Sequence, residues 1–251
     1  MPKLVTKRAI NLKSTLIEGT LMDYKTFLNR AKAYHENTDK EDTELYFEVF
    51  KRRNSWNVTA WDMDYVQWLF KTYLFQWGGM ARAFPVLARD EVYGSVFKET
   101  PPMLREYAAL QNLELLSSRF VDLSHMIPLA YKRLCELRFS YKNKSRRIGP
   151  TAASKLLHFL FPKVFVIWDN RFVRIPQNYN ETPDEYFRYT NDKLGVLREV
   201  VESFVKDDAG SELGATYAIE ALHADDLSKM GFERFREPIT KLLDEINYSI
   251  E

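Results

Sequence analysis

The sequence is short of the residues that form disulfide frameworks, β-rich folds and membrane spans. Its 251 residues include one cysteine, Cys135, which excludes an internal disulfide and suits a reducing compartment. With only 9 glycines, 10 prolines and few alternating β-type runs, a mainly α-helical fold is favoured. No stretch approaches the roughly 18 apolar residues that a membrane-spanning helix requires, and the N-terminus lacks the pattern of a signal peptide. We therefore expect a soluble, cytoplasmic protein that does not act at a membrane.

Motifs for the common cofactor and catalytic sites are also missing. The chain has no GxGxxG or Walker A loop, no HExxH or CxxC pair, and no GxSxG nucleophile turn. Its four histidines lie far apart along the chain, without the spacing of metal ligands: His35, His125, His158 and His223. Neither a metal site nor a cofactor is predicted.

Hydrophobic periodicity predicts one helical domain over residues 1–251, with about ten helices arranged in one body or in two lobes. The segment 23–37 reads as an amphipathic helix. Residues 60–84 read as a long buried helix that ends at Gly78-Gly79. A further helix runs to about Phe139 and is followed by a polar, basic loop.

The net charge of +1 conceals an uneven distribution. From Tyr131 to Arg174, eleven basic residues face only Glu136 and Asp169, so this region carries +9 and the rest of the chain −8. Such a concentration is typical of a phosphate-binding surface, although a solvated basic face fits the charge equally well. The basic residues are Lys132, Arg133, Arg138, Lys142, Lys144, Arg146, Arg147, Lys155, Lys163, Arg171 and Arg174.

A turn at Gly149-Pro150 precedes an apolar helix that is stopped by Pro162. The backbone N–H groups at the start of such a helix have no partner within it, and the helix dipole favours an anion there. Small side chains in the first turn allow a phosphate to approach closely. The predicted nucleic-acid-binding residues are Lys144, Arg146, Arg147, Gly149, Thr151, Ala152, Lys155, Arg171 and Arg174.

The segment "IGPTAASKLLHFLFPKVFVIWDNRFVRI" resembles the hairpin and catalytic segment of the helix-hairpin-helix (HhH-GPD) DNA glycosylases of base excision repair. Gly149 and Ala153 match the hairpin, Asp169 the aspartate, and Phe172 and Arg174 the positions that follow it. The twenty-residue step from Gly149 to Asp169 is close to the family's spacing. This similarity covers about 30 of the 251 residues. It implies a two-lobed, glycosylase-like helical fold with the helix-hairpin-helix and Asp segment at residues 129–175.

The resemblance makes Asp169 the catalytic carboxylate, which stabilises an oxocarbenium-like sugar or activates the nucleophile while a base is flipped out of double-stranded DNA. Thr151 stands where the bifunctional members carry a Schiff-base lysine. The resemblance therefore implies a monofunctional hydrolase that uses water. Lys155, one turn further on, would replace that lysine only if the helix were rotated. The alternative role for Asp169 is to cap a helix that begins at Asn170.

The base pocket implied by the resemblance has weaker candidates. Flipped bases usually stack on aromatic or apolar side chains, and Trp168 adjoins Asp169 in the sequence. Trp77 and Arg82 border the glycine pair at 78–79 and offer a rim. Packing in the core is the alternative role for both tryptophans.

Three functions fit the sequence. The first is a DNA-binding, glycosylase-like protein that hydrolyses N-glycosyl bonds with Asp169. The second is a non-catalytic nucleic-acid-binding module of a defence or regulatory complex. The third is an α-helical protein-interaction domain whose basic loop meets an acidic partner. The exposure of Asp169 and its position relative to the Gly149 turn distinguish the catalytic function from the other two. If Asp169 is buried and bonds only to its own helix, it cannot be the catalytic residue.

Overall fold

The structure, a computed structural model, describes residues 22–56, 63–69, 99–141, 144–169, 179–208 and 212–247. Within them the fold is mainly α-helical, as predicted, with nine bounded α-helices, a further helical stretch at residues 99–105 and one two-stranded antiparallel hairpin. None of the helices in these ranges is both long and apolar enough to span a membrane.

The helices are α1 (Tyr24–Asn37), α2 (Lys40–Trp56), α3 (Met63–Trp68), α4 (Phe120–Leu123), α5 (Met126–Glu136), α6 (Pro150–Leu160), α7 (Pro183–Asp208), α8 (Glu212–Lys229) and α9 (Ile239–Glu245). The strands are β1 (Arg138–Tyr141) and β2 (Lys144–Arg147). Residues 99–105 are also helical, and Ala108–Leu110 form a 3-10 turn.

Helix α1 forms where its periodicity predicts it. The Asp23 carboxylate caps its start by accepting a hydrogen bond from the Thr26 amide at 2.9 Å, which lowers the pKa of Asp23. Its apolar face, with Phe27 and Ala31 fully buried, packs against α7, α8 and α9. Helix α1 is therefore joined to these three helices through one buried face.

The predicted helix over residues 60–84 is described only in part. Residues 63–68 form α3, with Tyr65 and Val66 in the core. The remainder of that segment, including Gly78-Gly79, lies outside the described residues.

The link between α5 and α6 differs from the expected basic loop. Helix α5 ends at Glu136, before the predicted Phe139, and a β-hairpin follows in which Arg138 pairs with Arg147 across the strands. The Ile148 amide closes the hairpin by donating to the Leu137 carbonyl at 3.1 Å. Alternating aromatic and polar residues in β1 favour this extended pairing.

The core between α5, α6 and α7 is rich in aromatic side chains. The rings of Tyr131 and Tyr186 stack at 4.0 Å with an interplanar angle of 6°. Leu156 and Leu157 of α6 are fully buried nearby. Each such apolar side chain contributes roughly 1.5–3 kcal/mol through burial, so this core fixes α6 firmly against its neighbours.

Helix α9 is short and completely interior. It begins after Pro238, because proline is favoured at a helix start and cannot continue a helix. All seven of its residues are buried, including the charged Lys241, Asp244 and Glu245. The fold therefore encloses a polar interior at its C-terminal end.

Candidate active site

The start of α6 has the glycine turn that the sequence predicts. Gly149 is the N-cap residue with φ of 83° and ψ of 163°, Pro150 occupies the first turn, and no side chain caps the end. The Ala153 amide donates to the Gly149 carbonyl at 3.0 Å as the helix begins. The earlier amides of α6 have no acceptor within the helix, so this turn offers backbone donors.

Residues 165–168 form a buried segment without regular secondary structure between the turn that follows α6 and Asp169. Four consecutive backbone carbonyls, from Phe165 to Trp168, accept hydrogen bonds from side chains. The donors, in that order, are His158 Nδ1 at 2.8 Å, Tyr186 Oη at 2.8 Å, Tyr189 Oη at 3.0 Å and Ser154 Oγ at 3.1 Å. Buried carbonyls require such partners, and these side chains take the place of a neighbouring strand.

His158 is a core residue that supports this segment, as its apolar surroundings predict. Because the Phe165 carbonyl can only accept, Nδ1 carries the proton, and Nε2 accepts from Tyr46 Oη at 2.8 Å. Burial lowers the pKa of His158 to about 3. The ring is therefore neutral, and both of its nitrogens are occupied.

Ser154 fixes the end of the segment to the first turn of α6. The Trp168 amide donates to Ser154 Oγ at 2.9 Å, and the same oxygen lies 3.0 Å from the Thr151 carbonyl. These contacts place Asp169, the next residue, beside α6. This serine therefore connects the segment before Asp169 to the helix that begins at the Gly149 turn.

Lys155 of α6 faces Asp169. Its Nζ lies 3.9 Å from Asp169 Oδ2, and the two side chains are 4% and 18% exposed. Burial lowers the pKa of Lys155, while the carboxylates of Asp169 and Asp244 oppose that shift. The Asp169 side chain therefore faces a residue of α6 and does not interact only within its own segment. This arrangement is compatible with a catalytic role for Asp169.

This position of Lys155 differs from the surface position expected for it. The sequence predicts a surface contact with phosphate, whereas the structure encloses the ammonium group. Helix α6 also turns the Lys155 side chain towards Asp169. The apolar residues at 156, 157, 159 and 160 occupy several sides of α6. The helix is therefore buried on all of these sides, and Lys155 is buried with it.

A second pair of charged side chains, Lys241 and Asp244, interacts with the pair formed by Lys155 and Asp169. Burial raises the pKa of Asp244 to about 7, with Lys241 at 3.5 Å opposing the rise. The charge of Asp244 acts on both Lys155 and Asp169. Sequence reasoning missed this pair, and the only signal was the presence of charged residues in the apolar segment "ITKLLDEI".

Five described basic residues of the region are exposed, and two of them lie on the hairpin. Arg138 and Arg147 are exposed and occupy opposite positions of β1 and β2. Like charges placed opposite each other are unfavourable unless an anion offsets them. Lys163, in contrast, pairs with Glu114 at 2.5 Å. Among the described residues, the exposed Arg138 and Arg147 therefore lie together on the hairpin that precedes the Gly149 turn.

The other predicted site residues are distributed as follows. Ala152 is buried and Thr151 partly buried, so their backbone is what the first turn can offer. Trp168 is fully buried, with ring contacts to Tyr179 at 5.7 Å and Tyr189 at 5.3 Å, and its role in a base pocket stays a prediction. Lys144 and Arg146 belong to β2. Trp77, Arg82, Arg171 and Arg174 lie outside the described residues.

The sequence argument against a metal site depended on the distance between histidines along the chain. The fold brings two of them together, with the rings of His35 and His223 centred 5.5 Å apart. Glu237 and Glu245 lie beside them, and all four side chains are buried. No local spacing reveals this group, because α1 and α8 meet only in the folded chain.

Comparisons with protein-family models, with curated proteins and with solved structures find no match to this chain.

Proposed function

We propose that this protein binds nucleic acid and cleaves N-glycosidic bonds, with Asp169 as the catalytic carboxylate. One observation carries the proposal: a partly exposed carboxylate lies 3.9 Å from a buried ammonium group, beside a glycine turn and an exposed basic hairpin. The resemblance of residues 146–175 to helix-hairpin-helix DNA glycosylases supports the same chemistry. A two-lobed glycosylase-like arrangement with double-stranded DNA as the partner belongs to this proposal.

Binding in this proposal uses charge and backbone. Arg138 and Arg147 contact phosphates from the hairpin, and the first amides of α6 donate to another phosphate oxygen. Such contacts position the protein without reading sequence. The target nucleotide is flipped out of the duplex so that its sugar reaches Asp169.

The bond that breaks joins C1′ of the sugar to the base nitrogen. Its electron pair leaves with the base, which takes up a proton, and the sugar becomes oxocarbenium-like. The Asp169 carboxylate stabilises that positive charge. Water then adds to C1′ and loses a proton to the carboxylate, so the products are a free base and an abasic site.

Lys155 provides a second possible nucleophile at the same place. An amine whose pKa is lowered by burial is the type of group that forms Schiff bases. If Lys155 Nζ attacks C1′, the base leaves with the electron pair of the glycosidic bond and the C1′–O4′ bond opens, while the two amine protons pass to the base and to O4′. The resulting imine is reduced by borohydride to a stable adduct. Hydrolysis by water leaves nothing for borohydride to trap, so trapping with wild type and with Lys155→Gln distinguishes the two routes.

The direct test measures base release from a panel of lesion-containing duplexes, with strand cleavage after heat and alkali as the readout. We expect wild type to give product and Asp169→Asn to lose it. Asp184→Asn, an exposed aspartate in the first turn of α7, is the matched control and keeps activity. Circular dichroism confirms that each variant is folded. If every lesion stays intact, or if folded Asp169→Asn is as active as wild type, the enzymatic proposal fails.

A non-catalytic nucleic-acid-binding module is the second candidate. It is favoured by the low exposure of Lys155, since the pair with Asp169 then has only a structural role. This candidate predicts salt-dependent binding that weakens in Arg138→Gln/Arg147→Gln and is unchanged in Asp169→Asn. Failure to bind any nucleic acid at low salt would instead favour an interaction domain for an acidic protein.

A further inference from the structure

Four metal-ligating side chains from four places in the sequence meet in the interior. His35 lies in the last turn of α1, His223 in α8, Glu237 just before α9, and Glu245 at the end of α9. One ligand atom from each lies within 4.8 Å of all the others. The four side chains are 0–1% exposed, so the group is completely shielded from solvent.

Both histidines direct the same nitrogen at the two carboxylates. His35 Nε2 lies 3.2 Å from Glu237 Oε2 and 3.0 Å from Glu245 Oε1. His223 Nε2 lies 3.0 Å from Glu237 Oε2 and 3.7 Å from Glu245 Oε2. Two imidazoles and two carboxylates therefore converge on one common point.

Hydrogen bonds account for only part of this convergence, because both histidine Nε2 atoms bond to the same oxygen, Glu237 Oε2. Among the described residues, Glu237 Oε1, both carboxylate oxygens of Glu245 and His223 Nδ1 have no hydrogen-bond partner. Glu245 Oε1 is 2.9 Å from Lys241 Nζ, but the approach lacks hydrogen-bond geometry. Buried polar atoms are rarely left without partners, and here several of them surround the same small volume.

Charge also favours a cation at this place. Lys241 has carboxylates on two sides, with Asp244 at 3.5 Å and Glu245 at 2.9 Å. Against the effect of burial, the carboxylates of Glu245 and Glu237 raise the pKa of His35 to about 10, so without a metal a proton on that ring supplies part of the compensation. Buried charges need such compensation, and a divalent cation bound to neutral imidazoles supplies it.

We propose that His35, His223, Glu237 and Glu245 bind one divalent transition-metal ion, and that Zn²⁺ fits the site best. Imidazole nitrogen and carboxylate oxygen together are typical zinc ligands, whereas Mg²⁺ and Ca²⁺ prefer oxygen alone. With metal–ligand bonds of about 2.0–2.1 Å, a tetrahedral site separates its ligand atoms by roughly 3.3 Å. The four separations of 3.0–3.7 Å between the Nε2 and carboxylate atoms bracket this value.

The surroundings indicate a structural site rather than a catalytic one. Thr43 Oγ1 lies 3.1 Å from His35 Nδ1 and orients that ring, as outer partners of metal ligands commonly do. Four protein ligands in a closed interior leave no open position for a substrate. The ion would connect α1 to α8 and α9, and so join the first described helix to the last.

The experiment begins with the wild-type chain, purified without a histidine tag and dialysed against metal-free buffer. Elemental analysis is expected to find about one equivalent of zinc per chain. Removal of the ion with a chelator should lower the thermal midpoint, and one equivalent of Zn²⁺ should restore it. Co²⁺ added to the stripped protein should give the visible d–d bands of a tetrahedral site.

Variants locate the ion. His223→Gln and Glu245→Gln should each lower the bound zinc at least tenfold, whereas His125→Gln, at an exposed histidine outside the group, should keep it. The wild-type measurements remain decisive if a variant does not fold. Wild-type protein that holds no metal after dialysis, and that shows no change in thermal midpoint with added Zn²⁺, would overturn the proposal and leave a buried ion-pair network.

Discussion

Gly149 offers the sharpest test of the turn that begins α6. Its φ of 83° and ψ of 163° place it in a backbone region that essentially only glycine adopts. A side chain there costs on the order of 1–3 kcal/mol from the backbone alone. A Cβ at this position would meet no heavy atom within 4 Å, so no clash adds to that cost.

The expected magnitude follows from two opposing effects. Alanine also restricts the unfolded chain, which returns about 0.4–1 kcal/mol to the folded state. Gly149→Ala should therefore lower the free energy of unfolding by about 1–2 kcal/mol. Gly195→Ala is the matched control, because Gly195 lies inside α7 with equally open space around it. There alanine should raise stability by about 0.5–1 kcal/mol.

The assay is equilibrium unfolding in urea, followed by far-ultraviolet circular dichroism at neutral pH. The two glycine substitutions should shift the midpoint in opposite directions, with slopes equal to that of wild type. A Gly149→Ala variant as stable as wild type would refute the turn conformation at the start of α6. A loss of stability in Gly195→Ala of the same size would show that the effect is not specific to the turn.

Three further predictions concern the same region. Ser154→Ala removes the acceptor of the buried Trp168 amide and should lower the free energy of unfolding by about 1–3 kcal/mol, as urea unfolding would show; an unchanged midpoint would contradict this. Since His158 protonates near pH 6.5 when unfolded but only near 3 when folded, unfolding takes up a proton between these values. Stability should therefore fall as the pH drops through this window, and less steeply in His158→Asn; parallel pH profiles would contradict the neutral ring. In fluorescence anisotropy titrations, Arg138→Gln/Arg147→Gln should lower the slope of the logarithm of duplex affinity against the logarithm of salt concentration by the amount expected for about two phosphate contacts. An unchanged slope would show that the hairpin does not contact the duplex.

Helices with strong periodicity were predictable from sequence, and connections were less so. The apolar face of α1 and the start of α6 at the Gly149-Pro150 turn follow local rules that the chain obeys in the fold. The β-hairpin 138–147 was expected as a loop, because its short strands find each other only through cross-strand pairing. The early end of α5 is part of the same difference.

The candidate site was predictable in part for a similar reason. The resemblance singles out Asp169 from the residues around it, and the structure leaves this carboxylate partly exposed. Its partner Lys155 was expected elsewhere, because the rotation of α6 is set by packing on all of its sides. The contribution of Asp244 comes from a helix more than seventy residues after Asp169 in the sequence, so no local sequence pattern could predict it.

By itself, the sequence determined the helical class, the turn that only glycine can form at position 149 and the concentration of positive charge around it. These properties depend on neighbouring residues and on composition. The tertiary structure alone decided that Lys155 faces Asp169 and that His35 and His223 share two buried carboxylates. Those contacts join residues far apart in the chain, and they exist only because burial of the apolar faces of α1, α6, α8 and α9 carries the polar side chains into the same interior.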